Sequence, residues 1–223
     1  MPLNPFDGDT FVAFIDISGF KELMRKNLAH KALDYFYRSG YYLLQESQQD
    51  GDGVEGLFVS DCGVLFARDT SDHRQGLLSL LKVIKSINEE MLDNGYLLTT
   101  SVAFGHFKYT QRIEFDGIEK NPIFGQAYLS AFLDAEVCTP KLQPGLCRIV
   151  KKNLPNDILD RIGDQSEDLF QYILERSGDK SHMYFHWMLI DRAHAQQFEE
   201  SYCDAKYFGI RQILTNYSKG QLD

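Results

Sequence analysis

Residues 11–20, FVAFIDISGF, place one aspartate at the end of an apolar run. Phe11, Val12, Ala13, Phe14 and Ile15 suit a buried strand, and an ionised carboxylate directly after them is costly unless something positive meets it. Ser18 and Gly19 then turn the chain into a helical pattern beginning near Phe20. A strand that ends in Asp and opens a helix restricts the chain to folds in which a sheet delivers a carboxylate to a helix start.

The rest of the sequence extends this unit. Thr10 to Asp16 reads as strand one, Ser18 to about Asn27 as a short helix, and Ala29 to Gln49 as a longer one with Leu33, Phe36, Tyr37, Leu43 and Leu44 on its apolar face. Gly-Asp-Gly at 51–53 breaks it. VEGLFVSDCGVLFAR, residues 54–68, reads as a β-hairpin turning at Ser60-Asp61-Cys62-Gly63. Thr70 or Ser71-Asp72 can cap a helix over 73–94, with Leu77, Leu80, Leu81, Ile84, Ile87 and Met91 facing a core. A strand over 97–107, a charged connection to Asn121-Pro122, a helix over Gly125–Val137 and a strand over 146–151 complete the pattern. The order predicts an α+β fold, a mainly antiparallel ferredoxin-like sheet with helices packed on one face. Residues 1–151 read as the core, and 152–223 as a C-terminal extension packed on that core or on a dimer partner. In the extension, Asp157–Ile162, Asp168–Arg176 and Arg192–Lys206 look helical and Met183–Ile190 strand-like.

Charge and cysteine usage exclude several classes. With 32 acidic against 23 basic residues the net charge is -9, which disfavours nucleic-acid partners. Nucleotides can still bind if a divalent metal neutralises their phosphates. Cys62, Cys138, Cys147 and Cys203 are too scattered for a zinc site or a disulfide framework, and His182 and His186 flank a strand-like Met-Tyr-Phe rather than a helical turn. The start, MPLNPFDGDT, is polar and no run reaches membrane-spanning length, so a cytoplasmic protein without a membrane partner is expected.

Asp61, at the tip of the predicted hairpin, is the second carboxylate that follows an apolar run. In a ferredoxin-like sheet this hairpin lies beside strand one, so Asp16 and Asp61 can converge. Two close carboxylates repel each other, and a divalent cation removes the penalty. Mg²⁺ or Mn²⁺ suits such oxygen ligands and leaves room for phosphate oxygens. Ile17 would add its carbonyl, while the amides of Ser18, Gly19 and Phe20 could cradle a triphosphate. The plainer alternative is that Asp16 caps the helix and Asp61 makes a turn.

FVAFIDISGFKEL resembles the first metal motif of class III nucleotide cyclases, and FVSDCGVLFA resembles their second. NPIFGQAYLSAFLDAE stands where that family has its Gly-x-x-Val-Asn-x-Ala-x-Arg helix. The likeness covers roughly residues 10–151. It implies the class III catalytic fold, a head-to-tail homodimer with active sites between subunits, and two Mg²⁺ or Mn²⁺ ions that activate the ribose 3′-OH and hold the α-phosphate.

Departures from the family pattern are specific. Leu57 stands where adenylate cyclases carry a base-reading Lys, and Pro122 where they carry the matching Asp. The family's transition-state Asn and Arg fall near Leu129 and Leu133, which can neither donate a hydrogen bond nor neutralise charge. Lys108, Arg112, Lys120 and Asn121 could take over these roles, with Arg112 and Lys120 as catalytic cations and Asn121 and Tyr128 as base and ribose contacts. With both metal motifs retained, the sequence is similar to the pyrimidine cyclases of the bacterial Pycsar anti-phage system. That resemblance implies a nucleoside triphosphate substrate, UTP before CTP, and a cyclic product that reaches a separate effector. Two alternatives are a purine cyclase with an altered pocket and a silent nucleotide-sensing pseudo-cyclase.

Overall fold

The computed structural model describes residues 4–50, 53–68, 71–110, 112–115, 118–120, 122–160, 169–205 and 207–221, without the side chains of 112–115, 118–120, 207 and 208. The main sheet is built around β1 (Phe6–Ile17), the strand that ends next to Gly19 and α1 (Phe20–Arg25). On one side β1 pairs antiparallel with β3 (Cys62–Ala67), which pairs in turn with β2 (Val54–Val59). On the other it pairs antiparallel with β4 (Leu98–Tyr109) along its whole length. The crossovers are α2 (Ala29–Gln49), between β1 and β2, and α3 (His73–Asp93), between β3 and β4. This is the expected ferredoxin-like order. As expected, Asp72 caps α3, its carboxylate accepting from the amides of Arg74 and Gln75 at 2.9 and 3.1 Å.

The unbroken apolar run of β1 has a physical cause: both faces of the strand are covered. Phe11, Ala13, Ile15 and Ile17 pack with Phe36 of α2 and Leu77, Leu80, Leu81, Ile84 and Ile87 of α3. The alternate residues Val12 and Phe14 pack with Val64, Phe66, Ala103 and Phe107, and with Ala127, Ala131 and Ala135 of α4 (Gln126–Glu136). The expectation of helices on one face is therefore corrected. α2 and α3 cover one side, α4 the other, and Asp16 shares the α4 side with Val12 and Phe14.

Beyond β4 the sheet continues through β8 (Cys147–Val150), which pairs parallel to β4, and then through β10 (His182–Phe185) and β9 (Ile173–Leu174), both antiparallel. The charged connection after β4 is not a plain loop. It contains a hairpin of β5 (Arg112–Phe115) and β6 (Ile118–Lys120), then β7 (Ile123–Phe124), which returns to pair with the end of β4. The C-terminal region also differs from its expected elements. In place of a helix over 168–176 there is a 3-10 turn, Leu169–Tyr172, and then β9. The strand expected over 183–190 is the shorter β10, after which Trp187 buries its ring and donates from Nε1 to the Gly145 carbonyl at 2.8 Å. The helix expected over 192–206 starts as a 3-10 turn, Arg192–His194, before α6 (Ala195–Cys203). α5 (Asn156–Leu159) covers the start of the helix expected over 157–162, of which 161 and 162 lie outside the described residues, and α7 (Tyr207–Ser218) is a helix the sequence pattern does not mark. Among the described residues no helix is long and apolar enough to cross a membrane.

One buried polar cluster ties α4 to this region. Asp134 of α4 and Arg148 of β8 are 3% and 1% exposed. The Asp134 carboxylate accepts from Arg148 Nε at 2.9 Å and Ser101 Oγ at 2.6 Å, with His182 Nε2 2.8 Å away. Arg148 Nη2 also donates to the Asp134 carbonyl at 2.7 Å. Burial alone would raise the Asp134 pKa, but the bonds from His182, Ser101 and Arg148 outweigh it and hold the group below the usual carboxylate range.

Candidate active site

The site is assembled at the end of β1. The register sets Asp16 opposite Cys62 of β3 and Thr99 of β4. Ser60-Asp61 is the two-residue turn of the β2–β3 hairpin, bounded by the Val59–Cys62 pair. This turn docks on β1, because the Ile17 amide donates to the Asp61 carbonyl at 3.0 Å. As a result one ligand atom from each of Asp16, Asp61 and Cys62 lies within 4.8 Å of the others.

Electrostatics at this point favour a cation. Burial, followed by the charge of Asp61, pushes the Asp16 carboxyl from 3.8 to about 7, and Lys141 makes the smallest of the opposing contributions. Burial and the two aspartates push the Cys62 thiol up to about 12. It therefore stays protonated and donates to Asp16 Oδ1 at 3.5 Å. Two hard carboxylates fit Mg²⁺ or Mn²⁺, and the Cys62 thiol beside them steadies Asp16 as a hydrogen-bond donor. Ile17 has its side chain in the core and its amide engaged, so its carbonyl is the group it can offer.

The residues after β1 differ in part from expectation. The Ser18 amide does not point to a phosphate, because it donates to the Leu97 carbonyl at 2.8 Å. Gly19 adopts φ 77, which a glycine takes without strain, and starts α1, while the Phe20 ring is buried against the α2 and α3 side. Leu57 and Tyr128 pack on the α4 side, the side of Asp16. Tyr128 stacks on Phe132 at 6.2 Å, and Phe132 meets Phe14 edge-on at 5.3 Å. Burial, and to a smaller degree Cys62, raises the Tyr128 hydroxyl pKa.

Pro122 belongs to the opposite end of the sheet. Its carbonyl accepts from the Thr110 amide at 3.1 Å. The next residue, Ile123, pairs with Tyr109, which pairs with Phe6. Phe6 is ten residues along β1 from Asp16, about 33 Å at the usual strand rise. Lys108 lies at this same end and pairs with Asp7 at 2.6 Å. Backbone pairing puts Arg112 opposite Lys120 in the β5–β6 hairpin, while their side chains, and Asn121 altogether, fall outside the described residues. Leu129 and Leu133, one turn apart on α4, are 46% and 42% exposed, and Phe124 and Val137 extend the same exposed apolar character at 49% and 68%. The sequence reading missed the part played by Cys62. The signal was present in the hairpin register, which places Cys62 directly across from Asp16.

No protein-family model and no curated relative matches the sequence. Solved structures do match. The adenylyl cyclase CyaB from P. aeruginosa aligns over 82% of this chain and 94% of its own, with TM-score 0.55 at 15% identity. A monomeric double mutant of the guanylyl cyclase domain of the RhoGC fusion protein from the aquatic fungus Blastocladiella emersonii aligns over 82% and 96%, with TM-score 0.55 at 11% identity. A bacterial light-regulated adenylyl cyclase covers 98% of this chain and 58% of its own, with TM-score 0.53 at 12% identity. The chain thus shares the fold of adenylyl and guanylyl cyclase domains, the class III arrangement expected from its two aspartate motifs.

Proposed function

We propose that this chain is a pyrimidine nucleotide cyclase that converts UTP, or secondarily CTP, to the 3′,5′-cyclic monophosphate and pyrophosphate. The observation that carries this reading is the convergence of Asp16 and Asp61 within 4.8 Å at the end of β1, on a cyclase fold. Asp16, Asp61 and the Ile17 carbonyl would hold two divalent ions. Bound there, Mg²⁺ or Mn²⁺ would acidify the ribose 3′-OH and neutralise the triphosphate. The 3′-OH would give its proton to water, the 3′-oxygen would form a bond to the α-phosphorus, the bond from that phosphorus to the β-phosphate bridging oxygen would break, and pyrophosphate would leave with the electron pair.

The assembly proposed is a head-to-tail homodimer with shared sites. About 33 Å of strand separates Pro122 and its neighbours from Asp16 within one chain, so these groups can serve one substrate only across a subunit boundary. The exposed stripe of Leu129, Leu133 and Val137 supplies apolar surface for such a boundary. Arg112 and Lys120 of the partner subunit would then neutralise transition-state charge, and Asn121 of the partner subunit would read the base. Tyr128 would meet the ribose, with Gly19 and Phe20 near the phosphates.

Specificity for a pyrimidine rests on Leu57 and Pro122, which offer no side-chain hydrogen bond where a purine edge needs two. Each unpaired polar group costs about 1–3 kcal/mol. The cyclic product would act as a second messenger on a separate effector in anti-phage defence. The test incubates the protein with each of the four ribonucleoside triphosphates and Mn²⁺ and identifies products by mass spectrometry. Cyclic UMP as the main product, lost in Asp16→Ala and Asp61→Ala, supports the reading. A preference for ATP or GTP replaces it with a purine cyclase, and no product from any nucleotide replaces it with a silent nucleotide sensor.

A further inference from the structure

Asp61 sits on a two-residue turn, and a turn tip is usually a mobile place for a metal ligand. Here both peptide planes that flank the Asp61 Cα are tied to other elements. The plane after it is held by the Ile17 amide, which donates to the Asp61 carbonyl at 3.0 Å. The plane before it is held by Tyr37 of α2, whose hydroxyl donates to the Ser60 carbonyl at 3.0 Å. A peptide unit is planar, so fixing the Ser60 carbonyl also fixes the direction of the Asp61 amide. With both planes fixed, the backbone angles of Asp61 are set, and so is the line along which its side chain leaves.

Ser60 makes this tie consequential. Its φ is 55, in the left-handed region that a non-glycine residue enters at a cost. A turn held in that conformation needs an outside partner to keep it there. α2 supplies more than the hydroxyl. Phe58, two residues before Ser60, is edge-on to Phe36 at 4.9 Å and to Tyr41 at 5.1 Å, with the Tyr37 ring 6.3 Å away. Gly40 leaves the space that Phe58 fills, since a Cβ there would come 2.2 Å from Phe58 Cζ. The aromatic cage on α2 grips the hairpin body, and the Tyr37 hydroxyl orients its tip.

We propose that Tyr37 is the positioning residue of the metal centre, acting through the Ser60–Asp61 peptide without touching metal or substrate. This rests on the reading of Asp16 and Asp61 as the metal pair. The test measures Mn²⁺ affinity by electron paramagnetic resonance of free Mn²⁺, with no nucleotide present, on wild type, Tyr37→Phe, Asp61→Ala and Tyr35→Phe. Tyr37→Phe removes one oxygen and keeps the ring in the cage. Its Mn²⁺ affinity is expected to fall about tenfold, the lower end of the effect of losing an outer partner of a metal ligand. Its far-ultraviolet circular dichroism should match wild type. In turnover assays the Mn²⁺ concentration for half-maximal rate should rise with it, and saturating Mn²⁺ should recover most of kcat. Tyr35→Phe, an exposed tyrosine of the same helix, should leave affinity unchanged. Wild-type affinity in Tyr37→Phe alongside lost affinity in Asp61→Ala overturns the role of Tyr37 and leaves the metal centre standing. Wild-type affinity in both variants overturns the metal centre and the role of Tyr37 together.

Discussion

Replacing Asp16 by Asn should stabilise the metal-free protein, and the gain should depend on pH. Asp16 ionises near 3.8 in the unfolded chain, but burial and the Asp61 charge move it to about 7 in the folded one. A carboxyl whose folded pKa is raised costs stability once the unfolded chain can ionise and the folded one cannot. The cost is absent below 3.8, grows as pH rises to about 7, and stays level above that. The full shift corresponds to about 4 kcal/mol, and the partial solvent access of Asp16 reduces this to about 2 kcal/mol. Asn has nearly the same shape, can accept the Cys62 thiol bond in the same way, and carries no charge. In EDTA, urea unfolding should find Asp16→Asn more stable than wild type by about 2 kcal/mol at pH 8, and by less than about 1 kcal/mol at pH 4.5. Mn²⁺ should reverse the order, since a ligand at 100 times its Kd adds about 2.7 kcal/mol to the protein that binds it. Parallel pH profiles for the two proteins in EDTA would refute the electrostatic account of the site.

Two further predictions concern the scaffold. Arg148→Met leaves the Asp134 carboxylate buried without its guanidinium and should cost about 3–5 kcal/mol in urea unfolding; adding Asp134→Leu should recover at least half, and a double mutant no better than the single one contradicts the ion-pair account. Gly40→Ala drives a methyl into the Phe58 ring and should cost about 1–3 kcal/mol while weakening Mn²⁺ binding, whereas a gain in stability, as bare helix propensity would give, removes the cage from the argument.

The parts legible in the sequence are those that local pattern decides. The 3.6-residue periodicity of α2 and α3 and the hairpin around Ser60-Asp61 needed only neighbouring residues, and so did the Asp that ends β1. The two aspartates could be paired because strand order in a ferredoxin-like sheet brings their ends together. What the sequence left unread depends on distant partners. The unbroken Phe11–Ile15 run meant coverage on both faces, but nothing local says that α4 supplies the second layer. LCRIVK reads as a strand, yet burial of Arg148 makes sense only once Asp134 is known to lie opposite. β9 is two residues long, so its strand identity comes from pairing with β10 rather than from any alternation of its own.

The cluster of Asp134, Arg148 and His182 also acts as a mechanical coupling. Ala127, Ala131 and Ala135 present little relief to grip, and on this face of the sheet α4 adds the edge-on contact of Phe132 with Phe14. Asp134 pins α4 at one point to β8, and through His182 to β10, where His182 Nδ1 meets Asp179 at 2.9 Å. A shift of α4 along its axis must therefore pull on the 179–184 turn and strand, and a load on that turn is delivered to the helix that carries Tyr128, Leu129 and Leu133. The C-terminal region is thereby tied to the helix that carries the exposed Leu129 and Leu133.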